Sequence, residues 1–344
     1  MKSKKVGYLF VGIIALIVAI IIYKLPQKIE ANPSQAKFHQ YRGEVYGTYF
    51  SIDYQSHKEF NKKVDSIFKA IDQAASAYLS NSEISRLNKN RVLQNASPLL
   101  LEHFEKAHKM YEFTDGYFDP TLSSLIEIWG FGKNTKPTID TASVKKYLSK
   151  IGFKDAYEVE GNDIKLLKDS VDVNFTAMGE GFAIDEIADY FDSKSVQNYK
   201  VEIGGEMRTK GKSSREKYWL IGLQNPAAED DPSLDQLMAK LELQNEALST
   251  SGTYRKFFID EKGVKRGHII NPKTGFPVKH ELVSVSVISE STILSDATAT
   301  AMMAMGFEEA KAFVSEKSSV EAFLIYETTD GLKSWQTENL RTKD

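Results

Sequence analysis

Asp296 and Thr300 stand four residues apart in a run of helical character, Ile293–Met305, and therefore share one helical face. A carboxylate with a hydroxyl is an all-oxygen donor pair, which suits Mg2+ and not zinc. An Asp near a helix start also serves simply as a partner of the helix dipole. Gly179-Glu180-Gly181 follows an alternating apolar stretch, Ser170–Phe175, and precedes a helical pattern that is expected to start near Phe182. Glycines at a strand-to-helix junction let backbone N–H groups approach a phosphate. Glu180 fits such a place only if it meets sugar or base hydroxyls or helps to hold a metal. Gly204-Gly205, ahead of Glu206, reads as a bulge before a hairpin or as close backbone approach to a ligand. His268 opens a dense turn segment with Pro272 and Gly275 three residues apart. With an unperturbed pKa of about 6.5, an imidazole there can take a proton from a nucleophile, or it can merely hold the turn. Asp115–Thr121 sets Tyr117 and Phe118 among acids, where aromatic faces can stack a planar ring or pack the core.

These residues must be positioned by a mixed set of elements. Phe60, Val64, Ile67, Phe68 and Ile71 predict an amphipathic helix over 58–76, and 99–113 and 138–151 predict two more. Ile184, Ile187, Ala188 and Phe191 share a helical face. Arg42–Tyr54, Ser170–Phe175, Tyr199–Val201, Tyr218–Leu223 and Leu282–Ile288 are expected strands, the first interrupted by a small-residue pair. Helices and strands do not alternate regularly, so the expected class is α+β rather than a doubly wound sheet.

The 344 residues carry 44 Lys and Arg against 47 Asp and Glu, with 42% apolar residues. That composition excludes wholesale disorder, and a net charge of −3 gives no basic footprint for nucleic acid. The chain has no cysteine, which excludes disulfides, thiolate nucleophiles, Cys-ligated zinc and an N-terminal lipidated Cys. Lys2, Lys4 and Lys5 precede 18 uncharged residues, Val6–Tyr23. As a helix this run spans about 27 Å, close to the hydrocarbon thickness of a bilayer. Residues 1–25 are accordingly expected to be an uncleaved membrane anchor, with a cleaved signal as the alternative. Residues 26–37 read as a tether and 38–344 as the folded domain. Charge around the run favours the basic end inside and the bulk of the chain outside the cytoplasm.

Taken together, the motifs resemble those of the ApbE-type flavin transferases, the FAD:protein FMN transferase family. The matching pieces run in family order from Gly47-Thr48 to Gly306. They are Ser76–Tyr78 with Ser82–Asn88, Gly116–Thr121 with Trp129–Gly132, Gly179–Gly181 with Asp185, and Ile203–Glu206. Trp219–Pro226, Thr250–Arg255, His268–Pro277 and Ser295–Ala301 complete the set.

The resemblance implies an ApbE-like α+β fold preceded by one transmembrane helix. It also implies FAD as flavin donor and Mg2+ as the metal. Tyr46, Tyr78, Tyr117, Phe118, Asp119, Asn174, Glu180 and Ile270 match positions lining the FAD site. The Ala177 carbonyl, Asp296 and Thr300 match the metal ligands, and His268 matches a histidine implicated in transfer. The chain departs from the family in having Tyr46 where Met is usual, and Asn174 and Asn271 where Asp is common. The implied reaction moves FMN from FAD to a Thr or Ser hydroxyl of an acceptor flavoprotein and releases AMP. The implied acceptors are flavoproteins of membrane electron transport on the extracytoplasmic, periplasmic side of the cytoplasmic membrane. Two other readings keep the same residues: FAD hydrolysis to FMN and AMP, or a membrane-tethered flavin-binding protein without turnover.

Overall fold

The computed structural model describes residues 36–132, 141–169, 171–229, 233, 236–253, 257–259 and 265–343. Phe38–Gln55 and Glu59–Asp344 form one compact unit. The other unit, Met1–Lys37 with Ser56–Lys58, lies almost wholly outside the described residues. Among the described residues no helix is long and apolar enough to cross a membrane. The uncharged run at 6–23 lies outside them.

The first half of the chain forms β1 (Lys37–Val45), β2 (Thr48–Ser56), α1 (Asn61–Ala75), α2 (Glu83–Asn90), β3 (Val92–Leu93) and α3 (Pro98–Phe113). It continues through α4 (Ser123–Ile128), α5 (Thr141–Leu148), β4 (Tyr157–Glu160), β5 (Asp163–Leu166) and α6 (Gly179–Ser193). Next come β6 (Tyr199–Ile203), β7 (Glu206–Lys210), β8 (Trp219–Gln224), β9 (Leu237–Leu243) and β10 (Ala247–Gly252). The last part holds β11 (Phe257–Ile259), β12 (Lys265–Gly267), β13 (Leu282–Ser289), α7 (Thr292–Met305), α8 (Phe307–Ser315), β14 (Glu321–Thr328), β15 (Gly331–Gln336) and β16 (Thr342–Lys343).

An eight-stranded sheet in the order β1-β2-β6-β7-β10-β13-β14-β15 organises the molecule. Successive side chains on a strand point to opposite faces, so each strand serves two layers. On one face Met207, Leu248, Ile288, Phe323 and Ile325 pack with Trp219, Leu223, Leu241, Leu243 and Leu340, from or beside the three-stranded sheet β8-β9-β16. On the other face Phe50, Ile52, Val201 and Ile203 bury against α1, α3 and α6. Further along that face Val285, Val287, Ala322 and Leu324 bury against α7 and α8. Helix α7 is buried on nearly every side, which its Ala- and Met-rich sequence allows. The expected α+β class is the observed one.

Local sequence explains the helices. The stripe Val64, Ile67, Phe68 and Ile71 is the buried face of α1. Helix α3 starts at Ser97, whose Oγ accepts the Leu100 N–H, with Pro98 just inside. It ends at a turn where Asp115 and Gly116 take positive φ values of 52° and 73°.

Three expectations need correction. Arg42–Tyr54 is not one interrupted strand but part of a hairpin, β1–β2. Its two turn residues, Tyr46 and Gly47, have φ of 54° and 79°, the left-handed geometry that tight hairpins use. Ser170–Phe175 gives no strand among its described residues, because side chains take the place of a neighbouring strand. Asn88 donates from Nδ2 to the Val173 carbonyl (2.8 Å) and accepts the Val173 N–H (2.9 Å). The Arg91 guanidinium donates to the carbonyls of Lys168 and Val171. Finally, the helix expected near Phe182 begins at Gly179, so Glu180 and Gly181 lie inside its first turn.

Candidate active site

The site is built where α6, α7, β7 and β10 meet. Asp185 of α6 fixes the start of α7: its Oδ1 accepts the Thr292 N–H (2.9 Å) and its Oδ2 the Ile293 N–H (3.0 Å). The same carboxylate takes a bond from Arg208 Nη1 at 3.0 Å, and that guanidinium also reaches Asp189. Ser291 adds an ordinary N-cap. The helices are tightly apposed. A Cβ on Gly181 would lie 3.0 Å from both Asp296 Oδ2 and the Thr292 carbonyl. This glycine therefore serves helix–helix approach rather than the phosphate cradle its neighbourhood suggested.

One turn into α7 stands Asp296, only 5% exposed and the sole charged residue of that helix. Burial first, then Glu180, pushes its carboxyl well above the usual range. Glu206, the first residue of β7, is raised in the same way by burial and then by Asp296 and Glu180. Asp296 Oδ2 and Glu206 Oε2 are both buried without a hydrogen-bond partner. Two facing carboxyls can hydrogen-bond only by sharing a proton; a cation satisfies both oxygens without one. Thr300, one turn beyond Asp296, has its Oγ1 3.1 Å from Ser251 Oγ on β10. Among the described residues no three His, Asp or Glu side chains form a metal cage on their own. A hard cation held by carboxylate, hydroxyl and carbonyl oxygens fits this donor set. The short turn Thr176–Met178, which carries the Ala177 carbonyl, packs against α7.

The remaining sequence-derived residues fall into several groups. Asp119 and Asn174 head two like turns: Asp119 Oδ1 accepts from Thr121 N and Oγ1, and Asn174 Oδ1 from Thr176 N and Oγ1. The Asn174 N–H donates to the Pro120 carbonyl at 2.9 Å, which sets the turns side by side. Burial pushes Asp119 up, against the pull of its Thr121 bonds and Lys168. Both Asx side chains thus shape backbone. Asn accepts these bonds as well as Asp does.

Tyr46 sits at its positive-φ turn with a buried hydroxyl that has no hydrogen-bond partner. Its phenol is pushed up by burial first and then by Asp72 and Glu180. Tyr117 donates to Glu309 Oε1 (2.7 Å), and Lys273 Nζ lies 5.1 Å over its ring. Phe118 and Ile270 are core side chains, Ile270 packing with Leu125, Trp129 and Val144. Tyr78, by contrast, is 75% exposed.

His268 follows β12, half-buried, its ring edge-on to Phe131 with centroids 6.4 Å apart. The turn beside it is held by Asn271. That side chain accepts the N–H groups of Lys273 and Thr274 and donates to the Ala304 carbonyl. Trp129 Nε1 closes the turn from α4's end through the Gly275 carbonyl at 2.8 Å. Tyr254 and Arg255 lie outside the described residues.

Glu206, Asp185 and Arg208 had no role assigned from sequence. Asp185 and Glu206 fall within the recognised motifs, and Arg208 lies just beyond Glu206. Only the pairing of β7 with β10 and the packing of α6 on α7 bring them to Asp296.

The sequence pattern of the ApbE family matches residues 46–324. An FAD:protein FMN transferase of Vibrio cholerae is 29% identical over 311 residues, covering 87% of this chain and 90% of its own. One of Buchnera aphidicola subsp. Schizaphis graminum is 30% identical over 310 residues, covering 86% and 87%. Among solved structures, flavin transferase ApbE from Vibrio cholerae superposes with a TM-score of 0.76 at 27% identity, covering 88% of this chain and 98% of that one. Pseudomonas stutzeri flavinyl transferase ApbE, in its apo form, gives 0.78 at 25% identity, covering 88% and 95%.

Proposed function

The chain belongs to the ApbE family, and from that premise we propose that it is an FAD:protein FMN transferase. It moves FMN from FAD to a Thr or Ser hydroxyl of an acceptor flavoprotein and releases AMP. The observation that carries this reading is the buried carboxylate of Asp296, whose Oδ2 has no hydrogen-bond partner, on the helix that also presents Thr300. Asp296, Thr300 and the Ala177 carbonyl would hold Mg2+. When bound, that ion supplies charge neutralisation for the pyrophosphate oxygens.

Tyr46, Tyr78, Tyr117, Phe118, Asp119, Asn174, Glu180 and Ile270 line or shape the FAD site. Asp119 and Asn174 do so through the turns they head, and Phe118 and Ile270 by anchoring their segments in the core. The acceptor oxygen forms a bond to the FMN phosphorus as the phosphorus–oxygen bond to AMP breaks. His268 takes the hydroxyl proton, and AMP leaves with the electron pair of the broken bond. Asn271 holds the neighbouring turn through the N–H groups of Lys273 and Thr274. Residues 1–25 anchor the chain in the cytoplasmic membrane, with the transferase domain on the extracytoplasmic side, where it serves acceptors of membrane electron transport.

The test is mass spectrometry of a Thr-containing acceptor peptide incubated with the protein, FAD and Mg2+. The expected product is a peptide carrying FMN, with an equal amount of AMP. His268→Ala should lower the rate about a hundredfold with FAD affinity little changed, since loss of a general base typically costs 10²–10⁴. FMN and AMP without an adduct would make the protein a hydrolase. FAD binding without turnover would make it a carrier.

A further inference from the structure

The strand register brings a second carboxylate to the cation site. Strands β7 and β10 pair antiparallel with Ala247 opposite Arg208 and Leu248 opposite Met207. One step further along the same register sets Glu206 beside Ser249. Cross-strand neighbours point to the same face, as do residues two apart on a strand, so Glu206, Ser249 and Ser251 look the same way. The 3.1 Å contact of Ser251 Oγ with Thr300 Oγ1 identifies that face as the one covered by α7. Strand β10 and helix α7 both run antiparallel to β13, the helix returning along the strand that precedes it. A step from Ser251 back to Ser249 therefore matches the turn from Thr300 back to Asp296.

Three buried side-chain oxygens converge there, Glu206 Oε2, Asp296 Oδ2 and Ser249 Oγ, with the Glu206 carboxyl within hydrogen-bonding reach of the other two side chains. Ser249 is completely buried, and its hydroxyl adds a neutral oxygen donor beside the two carboxyls.

We propose that Glu206 is a further member of the divalent-cation site, its carboxylate joining that of Asp296 in holding the ion. The inference rests on the reading of Asp296 as a metal ligand. A single carboxylate leaves a buried divalent ion with net positive charge. Two neutralise it before any phosphate arrives, in keeping with Mg2+ sites that use one or two carboxylates plus substrate phosphates. Without the ion the two carboxyls face one another in a low-dielectric seam and can pair only by sharing a proton.

The experiment measures Mn2+ affinity by electron paramagnetic resonance, and Mg2+-dependent thermal stability, on the purified full chain with and without FAD. Wild type should bind the ion saturably and gain stability with it; Asp296→Asn should lose both. Glu206→Gln should bind at least tenfold more weakly while its metal-free melting temperature stays equal or rises. Glu206→Asp, which keeps the charge on a shorter arm, should bind within about threefold of wild type. Wild-type affinity in Glu206→Gln, equal weakening in both Glu206 variants, or unfolding of metal-free Glu206→Gln would each overturn the inference alone. Unchanged binding in Asp296→Asn, or no cation dependence in wild type under either condition, would instead remove the reading on which it rests.

Discussion

His103 shows how strongly this interior discriminates between protonation states. Its Nδ1 lies 2.8 Å from the Leu99 carbonyl, so that nitrogen carries the proton and donates. The ring stacks on Phe182 with centroids 3.5 Å apart, and Nε2 is buried without a partner. Burial, with a smaller contribution from Lys106, lowers its pKa to about 4. The unfolded chain takes up a proton on this residue below a pH of about 6.5, while the folded chain resists until about 4. Protons therefore favour unfolding in that window. Stability attributable to His103 is complete above pH of about 6.5, falls as the pH drops towards 4, and flattens below. Over the full window the loss is about 3 kcal/mol. His103→Asn keeps a donor near the Nδ1 position and removes the titration. Its urea-unfolding free energy should be lower than wild type at pH 7 but markedly less steep between pH 6.5 and 4. Parallel pH profiles for the two proteins would show that His103 is protonated in the fold.

Among the elements, α7 carries Asp296 and Thr300, and α6 holds α7. Four N–H groups at a helix start need acceptors, and Asp185 supplies two of them across the helix–helix interface while bonded to Arg208. Asp185→Ala leaves those donors and the guanidinium poorly matched in a buried place, where breaking one partner of such a pair costs about 3 kcal/mol or more. Asp185→Asn keeps one acceptor and should lose about half as much. Urea titration of the three proteins checks the ranking, and cation affinity should fall with it because Asp296 rides on the same helix. Equal stability of Asp185→Ala and wild type would show that Ser291 alone suffices as the cap.

This arrangement also marks what the sequence could reveal. Periodicity found α1, α3 and α7 because each carries its burial pattern within one run of residues. It misread 170–175, where Asn88 and Arg91, remote in sequence, take the place of a ladder. The glycines on either side of Glu180 allowed close backbone approach to a phosphate as one reading; the atoms Gly181 must admit are Asp296 Oδ2 and the Thr292 carbonyl. Asp296 and Thr300 were legible because helical spacing alone puts them together. Glu206 was not, since its partner Ser249 is 43 residues away and only the β7–β10 register joins them.

At the scale of the whole molecule, among the described residues the buried clusters are drawn from Phe50 onward, with Phe38, Tyr41, Val45 and Tyr46 packed against them. Tyr41 and Arg42 tie β1 down through Asp65 and Asp53. Deleting residues 1–30 should therefore leave the melting temperature and the FMN transfer to a soluble peptide unchanged. The proposed anchor contributes location instead. An enzyme and an acceptor confined to one membrane meet at an effective concentration far above that of a free pair. In cells, the full chain should fractionate with membranes and resist carbonate extraction, while the deleted chain is recovered in the soluble fraction. Flavin attachment to a membrane-embedded acceptor should fall with it, even though peptide transfer in vitro does not. Recovery of a mature native chain that lacks residues 1–25 would identify a cleaved signal. A deleted chain that still pellets with membranes would place the attachment in the folded unit itself.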